Sequence, residues 1–206
     1  MTSPLHGRPL WNRWFVTVTL GEFLGFAVPS AVGAATADAS PLVAAAAILV
    51  AGAVEGATLG GAQALVLRRA LPGLRAGEWI VATAAGAVVA YVIGMSPSTA
   101  AGLGLHLPPA ALIVAGPVLG VALLLSIGTA QWTVLRRVVA RRSTGWIAVT
   151  ALAWAVGLGV FLAFAMPLWH PGQAPALVVA IGVGGGLLMA ATTSAITGLG
   201  VRRLVR

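Results

Sequence analysis

The sequence predicts an all-α membrane protein: six transmembrane helices forming three parallel two-helix repeats, closed as a pseudo-threefold bundle within one integral membrane domain over 1–206. Three observations lead there. The first is composition: 59% of the residues are hydrophobic and 8% are charged, where a soluble domain carries about 25% charged residues. The second is a recurring phrase. Gln63-Ala64-Leu65-Val66-Leu67-Arg68-Arg69 returns as Gln131-Trp132-Thr133-Val134-Leu135-Arg136-Arg137, and again as Thr197-Gly198-Leu199-Gly200-Val201-Arg202-Arg203. Arg13-Trp14-Phe15, Glu78-Trp79-Ile80 and Gly145-Trp146-Ile147 alternate with it. A fixed period of this kind marks an array of one supersecondary unit, with repeats at about 13–78, 79–145 and 146–206. The third is arginine placement. All twelve cationic side chains are arginines, giving a net charge of +8, and all sit in short clusters between long apolar runs. In a soluble chain this excess would suggest nucleic acid. Clusters confined to the ends of apolar runs are membrane-flanking anchors instead, so the sequence predicts no nucleic-acid partner.

About 20 apolar residues cross about 30 Å of hydrocarbon, and six stretches qualify. Span one, 14–35, follows Arg8 and Arg13 and opens on Trp14. Its flanks imitate a secretion signal ending at Ala35-Thr36-Ala37. The apolar run, however, exceeds the usual ~7–15 residues, holds Glu22, and starts on a tryptophan aligned with Trp79 and Trp146, so it counts as a full span. Span two, 41–67, carries Gly52, Gly56 and Gly60, then Gln63. Span three, 79–96, opens on Trp79, with Gly86, Ala90 and Gly94 along one face. Span four, 109–135, repeats the stripe as Gly120, Leu124, Gly128 and Gln131, with Pro117 as a kink. Span five, 146–166, opens on Trp146 and carries Ala153 and Gly157. Span six, 174–201, gives the third stripe as Gly186, Ala190, Ser194 and Thr197.

Arginines before span one, between spans two and three, between spans four and five and after span six all fall on one side. The positive-inside rule then puts both termini in the cytoplasm, and the three tryptophans are expected at headgroup level. Small residues every fourth position share a helical face and let backbones approach closely. The stripes are therefore expected to pack helices together, with Gln63, Gln131 and Thr197 hydrogen-bonding across interfaces. A sharper alternative has the three stripes converge on the axis and line a narrow path. Pro29 and Pro117 read as ordinary kinks, which membrane helices tolerate.

Two residues break the repeat. Glu22 and Glu55 are the acids inside spans, aligned with Ala87 and Trp154, and with Leu123 and Met189, respectively. At 1.5 Å per residue, Glu22 lies about 12 Å beyond Trp14 and Glu55 about 18 Å beyond Leu67, so both flank the midplane. A carboxylate there costs about 2.5–3.5 kcal/mol on the insertion scale, and no cation at that depth answers it. Burial favours the neutral acid, and neighbouring carboxyls titrate together. Glu22 and Glu55 are thus the candidate proton or cation site. The alternative is two neutral acids bonded to Thr17, Thr19 or Thr58.

Asp38, His106 and His170 precede the even helices in their repeats. A threefold axis would gather them into a set suited to zinc or iron, but no recognised ligand spacing supports this; no metal and no cofactor are expected. With no cysteine and no phosphate-loop, nucleophile-elbow or dinucleotide motif, the chain is not expected to be an enzyme.

The phrase Gly60, Gln63, Val66, Leu67, Arg68, Arg69, Trp79, Ile80, with its second copy Gly128, Gln131, Val134, Leu135, Arg136, Arg137, Trp146, Ile147, resembles small bacterial multi-pass inner-membrane proteins built on repeated GxxQxxVLRR and WI hairpins. The resemblance implies a bacterial inner-membrane location and carries no activity. The third copy departs, with Thr197 for glutamine. The layout is also similar to that of mitochondrial carriers, whose proline-acid-basic signature is absent. The expected function is a small transporter or channel-like protein for protons, cations or a small solute. The alternative is a non-catalytic scaffold or subunit binding partner helices through its glycine faces. The expected partners are the anionic headgroups of the bilayer, with partner helices or a second copy beside them.

Overall fold

A computed structural model describes residues 7–105, 108–139 and 143–205. They form six helices: α1 (Gly7–Ala35), α2 (Pro41–Ala70), α3 (Ala76–Gly102), α4 (Pro109–Leu135), α5 (Thr144–Ala165) and α6 (Pro175–Leu204). The shortest, α5, has 22 residues, about 33 Å at 1.5 Å per residue and enough for about 30 Å of hydrocarbon. All six are long and apolar enough to cross a membrane. Large apolar side chains such as Leu24, Val50, Val81, Ile113, Leu152 and Val179 point outward. A helix apolar all round needs a non-aqueous surround, so this is a polytopic membrane protein.

The helix ends follow local chemistry. The helices α2, α4 and α6 each start with proline in the first turn, after a residue in extended conformation. Proline suits this place because its missing N–H has no intrahelical partner there and its fixed φ is already helical. The helices α2 and α6 end on Arg68 and Arg69 and on Arg202 and Arg203, cations set against the negative end of the helix dipole. Proline inside α1, α3 and α4 (Pro29, Pro97 and Pro117) does not end the helix, and α3 runs on to Gly102 rather than stopping near 96.

Each helix packs against its neighbours in sequence, and α1 packs against α6. The six therefore close a ring. At the arginine-bearing end its interior is filled by Leu10, Trp14, Leu67, Leu71, Leu74, Trp79, Leu135, Trp146, Val201 and Leu204. Trp14, Trp79 and Trp146, at the start of the odd helices, are fully buried and point into the ring. Trp146 lies edge-on to Trp14 at 6.1 Å and tilted against Trp79 at 5.9 Å. Their N–H groups find partners inside the bundle, and a bonded indole can be buried without leaving a donor unmatched.

The small-residue stripes divide by helix. Gly52, Gly56 and Gly60 all face α3, opposite Tyr91, Ala84 with Ala87, and Ile80 with Thr83. At Gly56 an added Cβ would lie 2.6 Å from the Ala87 Cβ and 2.8 Å from the Ala84 Cα, so this spacing needs glycine. Gly128 lies against Ile147 and Thr150 of α5, and Gly186 against Phe26 of α1. Gly120 departs from the expected role: an added Cβ would meet nothing within 4 Å. The cause is α4 itself, whose buried residues start only at Ile127. Its first half stands clear of its neighbours, leaving Ile113, Val114 and Val118 exposed.

Candidate functional site

Two polar constellations lie inside the ring. The first grows from α1, α2 and α3. Glu22 is 1% exposed, and neither carboxyl oxygen has a hydrogen-bond partner among the described residues. Its burial follows from the glycines flanking it. At Gly21 an added Cβ would collide with Ala62, and at Gly25 it would lie 3.2 Å from the Glu55 carbonyl oxygen and 3.3 Å from the Glu55 Cγ. Helices α1 and α2 are thus pressed together where the two acids sit. Gly25 follows Glu22 by three residues and lies against the backbone and Cγ of Glu55, so the two acids sit on facing turns of α1 and α2.

Glu55 does have a partner: the Tyr91 hydroxyl of α3 donates to its Oε2. The tyrosine ring reaches it by lying over Gly52, where any Cβ would overlap the ring. No salt bridge reaches either acid among the described residues; the ion pairs of Glu78 with Arg75 and Arg137 lie at the arginine end. The threonines expected as partners do not serve. Thr58 donates to the Val54 carbonyl of its own helix, the buried Thr19 hydroxyl has no partner among the described residues, and Thr17 lines a surface groove with Arg13 and Arg69.

Tyr91 also borders a cavity of ≈ 280 Å³. Phe26 of α1, Ala87, Tyr91 and Met95 of α3, Leu123 and Ile127 of α4, Trp154 and Leu158 of α5 and Met189 of α6 contribute to its wall. Five of six helices line it, so it lies within the ring, beyond the tryptophans and away from the arginines. Phe26 is one turn above Glu22 on the same face of α1. The wall is apolar and partly aromatic, with the tyrosine hydroxyl as its link to the acids.

The second constellation closes the ring at the level of the tryptophans. Trp79 donates to Gln63 Oε1 at 3.0 Å, Trp146 to Gln131 Oε1 at 2.8 Å and Trp14 to Thr197 Oγ1 at 3.0 Å. Each bond joins an even helix to the odd helix beside it: α2 to α3, α4 to α5 and α6 to α1. An indole N–H only donates, so each amide must turn its oxygen to its tryptophan. That frees the Gln131 NH₂ to donate to Gln63 Oε1 at 2.7 Å and to Thr83 Oγ1 at 3.0 Å. With Trp14, Trp79 and Trp146 beside it, this belt fills the interior below the cavity.

No protein-family profile, curated protein or solved structure matches this chain.

The structure brings together Glu22 with Glu55, and Gln63 with Gln131; Thr197 joins the belt through Trp14. It does not assemble the loop residues. Asp38 and His170 are exposed, His106 lies outside the described residues, and no group of three acidic, histidine or cysteine side chains among the described residues could hold a metal. Two participants escape the sequence pattern used above. Tyr91 is the single tyrosine of the chain and sits deep in a span, where a phenol needs a partner. Thr83 follows Trp79 by one turn, as Thr150 follows Trp146, a polar repetition visible in the sequence.

Proposed function

We propose that this chain is a small bacterial inner-membrane transporter with both termini in the cytoplasm, its three hairpins standing around a pseudo-threefold axis. Glu22 and Glu55 form its proton- or cation-binding site, Tyr91 connects that site to the cavity, and the cavity takes a small apolar or cationic solute. The observation that carries this reading is Glu22: a carboxyl 1% exposed, without a hydrogen-bond partner among the described residues, beside a second acid inside a bundle of apolar helices. An acid at that depth is costly and marks ion pathways and proton relays. A purely structural acid would be expected to have its oxygens satisfied, because burying polar groups without bonds is expensive. The belt of Trp14, Trp79, Trp146, Gln63 and Gln131 closes the arginine end, leaving the cavity to load from the opposite side. Transport then requires the belt to part.

The test is flux into proteoliposomes holding the purified protein, read with a proton- or cation-sensitive dye. Wild type is expected to support flux. Glu22→Gln and Glu55→Gln are expected to abolish it, and Tyr91→Phe to reduce it while leaving the fold intact. Equal flux in wild type and both glutamine variants, or none from any of them, overturns the proposal.

A second reading draws on α4. Its first half buries no residue, and Gly116 and Gly120 face open space. A scaffold binding a partner helix would present such a surface. Co-purification of a membrane partner lost on Gly116→Leu and Gly120→Leu, with no flux in the assay above, would favour it.

A further inference from the structure

We propose that the groove between α1 and α2 at the arginine end is a specific binding site for a phosphate group, held by Arg13, Arg69 and the Thr17 hydroxyl. The groove has a volume of ≈ 320 Å³ and is lined by these three residues with Leu65 and Val66. When the tryptophan phrases of the three hairpins are aligned with one another, and the arginine phrases likewise, Arg13, Glu78 and Gly145 fall in one column, and Arg69, Arg137 and Arg203 in another. Each hairpin brings its two columns together. In the middle hairpin Arg137 meets Glu78 at 3.0 Å. In the last, Gly145 and Arg203 line one groove. In the first hairpin the carboxylate's place is taken by a second arginine.

Two arginines bordering one groove that no acid lines among the described residues repel each other, and an anion between them relieves the repulsion. A guanidinium presents a planar fork of donors matched to phosphate oxygens. Leu65, 52% exposed, gives the groove an apolar lip on the outer face of the bundle, where an acyl chain would run. Both a lipid headgroup and free phosphate supply this chemistry, and the lip favours the lipid. The site is independent of Glu22 and Glu55, so failure of transport would leave it standing.

The experiment measures binding of phosphatidylglycerol, and separately of inorganic phosphate, to the detergent-purified full chain by native mass spectrometry and thermal shift. Wild type is expected to retain one phosphatidylglycerol under conditions that strip phosphatidylcholine. Arg13→Glu is expected to weaken retention at least tenfold. It should melt no lower than wild type without lipid, because the introduced carboxylate would pair with Arg69 as Glu78 pairs with Arg137. Arg13→Gln should weaken retention without adding a pair, and Arg202→Glu should leave it within twofold. Competition by millimolar inorganic phosphate would assign the site to the free anion; its absence, with lipid retained, assigns it to the headgroup. Equal losses for Arg13→Glu and Arg202→Glu, which would indicate diffuse surface charge, or retention of neither ligand by wild type, overturn the proposal.

Discussion

Replacing Gln131 by leucine removes the centre of the buried belt at nearly constant volume. The side chain is 0% exposed. It gives up three hydrogen bonds: the donations to Gln63 at 2.7 Å and Thr83 at 3.0 Å, and the acceptance from Trp146 at 2.8 Å. Hydrogen bonds between membrane helices average about 0.6 kcal/mol, so the three together contribute roughly 2 kcal/mol. The partners differ in what they lose. Gln63 keeps Trp79, and Thr83 keeps its donation to the Trp79 carbonyl. The Trp146 N–H loses the acceptor it had and is left in the dry core, which adds about 1 kcal/mol or more. Gln131→Leu is therefore expected to cost about 3 kcal/mol of unfolding free energy, measured by reversible denaturant titration in micelles. Trp146→Phe removes the stranded donor, so the double variant should cost less than the sum of the singles by about 1 kcal/mol, within the range found for contacting pairs. A cost for Gln131→Leu below about 0.5 kcal/mol, or strict additivity with Trp146→Phe, would refute the belt as a stabilising network.

Other expectations follow from the same geometry. Thr197→Val removes the acceptor of Trp14 and should destabilise by about 1 kcal/mol in the same titration. Gly56→Ala should lower the melting temperature while Gly61→Ala raises it. Alanine gains up to about 1 kcal/mol in a helix, and at Gly61 the new methyl meets nothing within 4 Å, but at Gly56 it meets Ala84 backbone at 2.8 Å. Overpacking there costs about 1–3 kcal/mol and outweighs the gain. Because the chain has no cysteine, Gly73→Cys and Asp38→Cys can be labelled with an impermeant maleimide. In right-side-out vesicles only Asp38→Cys should react; the reverse pattern would invert the proposed topology.

The number and order of the helices were legible because apolar length is a one-dimensional property; their ends were less so, since α1 starts at Gly7 and α3 runs on to Gly102. The Gly52, Gly56, Gly60 stripe was legible for a related reason: spacing fixes the face, and α3 lies there. Gly120 shows where this ends. Spacing puts it on the same face as Gly128, but only the tertiary course of α4 decides that α5 and α3 fail to reach it. The tryptophans mark a second limit. Their place at the start of each odd span fits an interfacial belt as well as an interior one. The choice depends on whether acceptors such as Gln63, Gln131 and Thr197 stand opposite, which requires the pairing of even with odd helices around the ring. The acids were found because they are isolated charges in hydrocarbon. Their partner Tyr91 was missed because its approach depends on the absence of a side chain at Gly52, on another helix.

The central claim, that Glu22 and Glu55 work as a titrating pair inside the membrane, is tested most directly by infrared difference spectroscopy of the reconstituted protein across a pH titration. The protonated-carboxyl carbonyl band should change with pH, lose one component in Glu22→Gln and another in Glu55→Gln, and shift in Tyr91→Phe. A spectrum without a pH-dependent carboxyl band, or one that both glutamine variants leave unchanged, would contradict it.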